Sequence, residues 1–113
     1  VPAGKIWMGV PFYGYDWSGS GARNVTWRRG EALLDRYGAT ITRTPSGEAR
    51  FRYRAGGVRH VVYFQDSVAI SDKLQVLLTG HPTIAGIAIW SMGGEEPAFW
   101  TLINSVLLQR RLE

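Results

Sequence analysis

Two short, uninterrupted apolar runs bracket this sequence: Ile6-Trp7-Met8-Gly9-Val10 near its start and Ile84-Ala85-Gly86-Ile87-Ala88-Ile89-Trp90 near its end. Runs of this length, with no polar alternation, read as strands buried on both faces. Helix-forming sequence lies between them, so they are expected to be parallel neighbours joined by a crossover. Each run ends alike. The first empties through Pro11 and Gly14 into an aromatic-rich turn bearing Phe12, Tyr13, Tyr15, Asp16 and Trp17. The second delivers Trp90 to the loop Ser91-Met92-Gly93-Gly94-Glu95-Glu96. Aromatic rings and carboxylates would therefore converge at one end of the strand pair.

The 113 residues suffice for one core. There is no cysteine, which removes disulfides, thiolate catalysis and zinc–cysteine sites. No apolar run approaches the ~20 residues of a membrane helix. Val1-Pro2-Ala3-Gly4 lacks the basic and hydrophobic regions of a signal peptide. The chain has no initiator Met and enters a strand almost at once, so it reads as a piece of something longer.

Between the runs, Ser18-Gly19-Ser20-Gly21 reads as a flexible connection. Thr26 is placed to cap a helix carrying Trp27, Leu33, Leu34 and Tyr37, with Gly38 as its left-handed stop. A strand over 39–44 and a hairpin of 48–54 with 58–64, turning at Ala55-Gly56-Gly57, follow. Asp66 or Ser67 caps a second helix with Val68, Ile70, Leu74, Leu77 and Leu78 inward. Pro97 opens a last helix whose positive end is favoured by Glu95 and Glu96; Phe99, Leu102, Ile103, Val106 and Leu107 form its apolar face, and Arg110 and Arg111 its other end. The domain reading is a unit of 1–17 with 61–113, interrupted by a small antiparallel α+β insertion over 18–60.

The net charge of +4 comes mostly from arginine. Arg50, Arg52 and Arg54 alternate with Phe51 and Tyr53, as on the solvated face of a strand, so nucleic acid is not an expected partner. His60 and His81 have no second ligand at metal spacing, and neither a metal nor a cofactor is expected. Aromatic faces with a few acids suit a carbohydrate: the rings stack on C–H faces and the carboxylates take hydroxyls. On that ground Tyr13, Tyr15, Asp16, Trp17, Trp90 and Glu95 are the candidate substrate-binding residues.

The segment Lys5 to Trp17 resembles the seventh-strand region of glycoside hydrolase family 18, nearest its chitinase-like and spore peptidoglycan hydrolase branch. Val62-Tyr63-Phe64-Gln65-Asp66 with Lys73 resembles the start of the helix after that family's insertion. Ile84 to Trp90 with Gly93-Gly94-Glu95-Glu96-Pro97-Ala98-Phe99-Trp100 resembles the eighth strand and last helix. The resemblance implies an α/β fold, α+β when taken alone: the last quarter of a TIM (β/α)8 barrel with its insertion domain. It implies Trp90 as the floor of the sugar pocket, Tyr13 as a groove residue and the insertion as one cleft wall. Tyr15 stands where related chitinases often carry an arginine. The family's Asp-x-x-Asp-x-Asp-x-Glu motif, whose Glu protonates the glycosidic oxygen while the substrate's acetamido group acts as nucleophile, does not occur here. No catalytic residue is therefore assigned. The expectation is a portion of a glycosidase acting on N-acetylglucosamine-containing glycans, inactive alone; the alternative is a non-catalytic glycan-binding module. Its partners would be a chitin or peptidoglycan strand, the rest of the barrel, and further copies of itself through unpaired edges. Its place would be extracytoplasmic, at a bacterial cell wall or spore.

Overall fold

A computed structural model describes residues 1–112. Strands β1 (Trp7–Pro11) and β7 (Gly86–Trp90) pair in parallel, from Trp7 opposite Gly86 to Pro11 opposite Trp90. The expected crossover is thus present. Between them lie β2 (Tyr13–Ser18), β3 (Gly21–Thr26), α1 (Trp27–Tyr37), β4 (Thr42–Arg43), β5 (Ala49–Ala55), β6 (Val58–Phe64) and α2 (Ser67–Gly80); α3 (Ala98–Leu112) closes the chain. The intervening strands form one antiparallel sheet in the order β3-β2-β6-β5-β4.

Two cores result. Val10 and Phe12 pack with Ile70, Leu74, Phe99 and Ile103, so α2 and α3 cover one face of the β1–β7 pair. Val25, Leu33, Ala49, Phe51, Val62 and Phe64 seal α1 onto the antiparallel sheet. Side chains alternate along a strand. Val10, Ile87 and Ile89 face the helices, which leaves Trp7, Pro11, Ala88 and Trp90 on the opposite face. That face is open: Trp7 is 64% and Trp90 73% exposed. The apolar runs are therefore buried on one face only, because no element among the described residues covers the other.

The stretch after β1 is a second strand and not the expected aromatic turn. Period-2 order holds from Tyr13 to Ser18, and Gly14 lets β2 approach β6 closely: a Cβ there would lie 1.8 Å from the Tyr63 carbonyl oxygen. Ser18-Gly19-Ser20-Gly21 is a tight hairpin, with Ser18 paired to Gly21, and residues 21–26 add a strand that the sequence pattern does not announce. The sheet thus runs from Tyr13 to Phe64, wider at both ends than 18–60. Of residues 39–44 only Thr42–Arg43 is strand. Gly56 and Gly57 take φ of 56° and 76°, the backbone a two-residue hairpin turn with right-handed twist needs.

The helix ends follow their signals. Thr26 accepts from the Arg29 amide at 3.2 Å, Gly38 is left-handed at φ 60°, and Asp66 accepts from the Ala69 amide at 3.0 Å. Val68, expected inward, is exposed. The side chains of Leu78, Leu107, Arg110 and Arg111 lie outside the described residues.

Candidate functional site

The parallel register sets Trp90 opposite Pro11, at the end of the strand pair from which β2 departs. The Phe12 amide donates to the Trp90 carbonyl at 2.7 Å and fixes that departure. Phe12 is buried against Phe99, ring centroids 4.8 Å apart. Tyr13 is thereby turned to the open side. Gly9, Pro11, Tyr13, Ala88 and Trp90 line a shallow depression of about 400 Å³. The Trp90–Ser91 peptide is cis.

From this depression an aromatic row leads out along one face of β2. Tyr13 and Tyr15 have ring centroids 5.9 Å apart, and Tyr15 and Trp17 5.8 Å apart. Tyr15 is 41% and Trp17 51% exposed, so the rings are available to a ligand. Register brings Tyr63 of β6 beside Tyr15 on the same face. Tyr63 is absent from the sequence-based set: its alternation with Val62 shows which residues share its side, but only strand order shows whose neighbour it is.

Asp16 is not part of this row. It points to the α1 face, where it accepts from the Tyr53 hydroxyl and lies 2.7 Å from His60 Nδ1. Tyr53 is sandwiched between Tyr37 at 4.5 Å and His60 at 4.4 Å. Burial and the bond to Asp16 push the Tyr53 phenol above its ordinary range, so it stays a donor. The alternation that aligns Tyr13, Tyr15 and Trp17 necessarily sends Asp16 the other way.

Glu95 stays near Trp90 but is engaged within its own loop. One oxygen accepts from the Gly93 amide at 2.6 Å and the other from the Trp100 indole at 3.1 Å. Its own backbone amide, with those of Gly93 and the indole, holds its carboxyl below the usual range against a slight burial effect. Glu96, expected at the start of α3, instead serves α2: it accepts from the Ser67 amide at 2.5 Å. Space, not sequence proximity, decides which helix end a carboxylate serves.

The sheet is tied to the parallel pair at three points. Arg43 grips Asp66. Lys73 bonds Glu48 at 2.5 Å and Gln65 at 3.0 Å. The Arg28 amide donates to Gly94 in the loop after Trp90 at 2.8 Å. These hold the aromatic row at a set angle to the depression. Among the described residues no group of three His, Asp or Glu side chains is arranged to hold a metal ion.

No protein-family model matches the chain. It is 33% identical over 112 residues to the cortical fragment-lytic enzyme of Bacillus subtilis, covering 92% of this chain and 26% of that protein. Its structure superposes on a chitinase from Chromobacterium violaceum with TM-score 0.81 and 31% identity, covering 95% of this chain and 34% of that one. On the spore cortex-lytic enzyme of Bacillus cereus the TM-score is 0.83 and the identity 29%, over 94% and 26% of the two chains. Sequence match and superposition both run along nearly its whole length, and the chain is a homologue of the chitinases and spore cortex-lytic enzymes of glycoside hydrolase family 18, corresponding to a quarter to a third of each.

Proposed function

We propose that this chain forms the far end of the glycan cleft of a chitinase-like or cortex-lytic glycosidase acting on N-acetylglucosamine-containing strands. Trp90 and Tyr13 floor the pocket, and Tyr15 and Trp17 carry the strand outward as stacking platforms. The observation that carries this reading is the unbroken aromatic row leading out of the Trp90 depression at steps of 5.9 and 5.8 Å. Amphipathic rings of this kind offer an apolar face with a wet edge, which matches a sugar's C–H face and hydroxyl rim. The antiparallel sheet is one cleft wall. Glu95 supports the pocket by holding its loop, and Asp16 supports the wall from behind.

The proton donor lies elsewhere in this reading, because the acidic motif is missing from the sequence. The free edges of β1 and β7 are where the remaining barrel strands would pair, their open face turning to the barrel interior, which makes the rest of the barrel this chain's principal protein partner. Its relatives' spore names favour an extracytoplasmic, spore- or wall-associated setting. Incubation with chitooligosaccharides and with muropeptides is the test. Binding without turnover is expected; turnover by this chain alone, or failure to bind either glycan, would overturn the reading.

A further inference from the structure

The wall that bears the aromatic row has a second row beside it. Alternation and register put Arg50, Arg52 and Arg54 of β5, and Arg59 of β6, on the same face as Tyr15 and Trp17. Tyr15, Tyr63 and Arg50 lie abreast across β2, β6 and β5, as do Trp17, Val61 and Arg52. Neighbouring strands are about 4.8 Å apart, so the arginines run parallel to the rings at about 10 Å. Among the described strand positions no carboxylate stands on this face, the rest being Tyr13, Ala22, Asn24, Thr26 and Thr42; Glu48, one step before β5 on the same alternation, is held by Lys73 and Gln65. Among the described residues, none of the four arginines makes an ion pair. The ion-paired acids sit elsewhere, Asp16 behind the sheet and Glu48 and Asp66 at the α2 junction. A solvated strand face ordinarily mixes both signs; the charges at the strand positions of this one are all cationic.

We propose that this face selects glycans bearing carboxylates, the sugar backbone stacking on Tyr15 and Trp17 while the acidic substituents reach the arginine row. This rests on the glycan reading above and narrows it from N-acetylglucosamine strands in general to acidic ones. A carboxylate carried by the sugars and one carried by attached peptide present the same anion to a guanidinium. The exposed arginines each add little, and their effect is screened by salt, so selectivity is a matter of modest, cumulative gains.

The test compares three probes by titration calorimetry on the 113-residue chain: a neutral chitohexaose, the same oligomer carboxymethylated, and a muropeptide with its peptide attached. At least one acidic probe is expected to bind about three- to tenfold more tightly than the neutral one at low salt. That advantage should shrink at high salt and disappear in the Arg52→Gln/Arg54→Gln double variant, with neutral binding unchanged. Which acidic probe gains shows where the carboxylate is carried. Equal affinity for all three, or an advantage that survives the double substitution, would overturn the inference and leave the glycan reading standing. Binding of a single-stranded oligonucleotide as tight as that of the acidic glycan would also overturn it, in favour of a general polyanion surface. Failure of every glycan to bind would overturn both.

Discussion

The Arg43 guanidinium meets the Asp66 carboxylate through two parallel hydrogen bonds, Nη1 to Oδ1 at 2.8 Å and Nη2 to Oδ2 at 2.6 Å. The same carboxylate caps α2 through the Ala69 amide. One side chain thus ends the antiparallel sheet's reach and begins the helix that supports the parallel pair. Arg43→Ala leaves a mostly buried carboxylate without its partner and is expected to destabilise the chain by about 1–3 kcal/mol. Asp66→Ala removes the cap as well and should cost about 1 kcal/mol more. Asp66→Asn, which keeps a capping oxygen, should fall between wild type and Asp66→Ala. Urea unfolding midpoints check the order.

The same pair makes stability depend on acid. Burial works against the charged form of Asp66, but Arg43 and the Ala69 amide outweigh it and hold the carboxyl below its ordinary value of 3.8. A carboxylate with a depressed folded value contributes stability that is complete above the unfolded value and is lost as pH falls through the folded one. Unfolding free energy should therefore drop as pH is lowered below about 4. In Arg43→Ala that drop should be shallower. Denaturant titrations across the acid range read both slopes.

β2 meets β6 closely at Gly14. Gly14→Ala would place a methyl group 1.8 Å from the Tyr63 carbonyl oxygen and 2.6 Å from the Phe64 Cα, both backbone atoms that cannot swing aside. The expected cost is about 3 kcal/mol or more, read as a fall in Tm. An unchanged Tm would mean that the two strands are not in this register.

The aromatic row is separable from the fold. Tyr15 and Trp17 are exposed, so Tyr15→Ala and Trp17→Ala should leave Tm nearly unchanged. Each should weaken chitooligosaccharide binding by about 1–2 kcal/mol, five- to thirtyfold in Kd. Trp90→Ala, in the depression at the end of β7, should weaken it at least as much. Calorimetric titration with one oligomer across the three variants gives the comparison.

The open face of β1 and β7 should drive self-association. Trp7 and Trp90 are exposed on that face and Met92 just beyond it, and the pair has two unpaired strand edges among the described residues, a combination that favours pairing with another copy. Sedimentation equilibrium is expected to show dimers or larger species that dissociate on dilution. A monodisperse monomer at high concentration would contradict this.

The two apolar runs, Thr26 before Trp27, Gly38 after Tyr37 and Asp66 before Ser67 were each legible in the sequence, because local patterning and capping depend on neighbours within a turn or two. The parallel pairing was legible for a related reason: two uninterrupted apolar runs with a helix between them have few other arrangements. What lay out of reach was strand adjacency beyond that pair and the 48–64 hairpin, and all that depends on it. Residues 12–17 carry turn residues, yet they form a strand because β6 offers a partner and Gly14 has no Cβ to forbid it. Asp16 sits among the site's aromatics in sequence and behind them in space. Glu96 precedes one helix and serves another. Alternation and charge are properties of a chain segment and can be read along it; register, strand order and the facing of two elements are long-range contacts, and only the tertiary structure chooses among them.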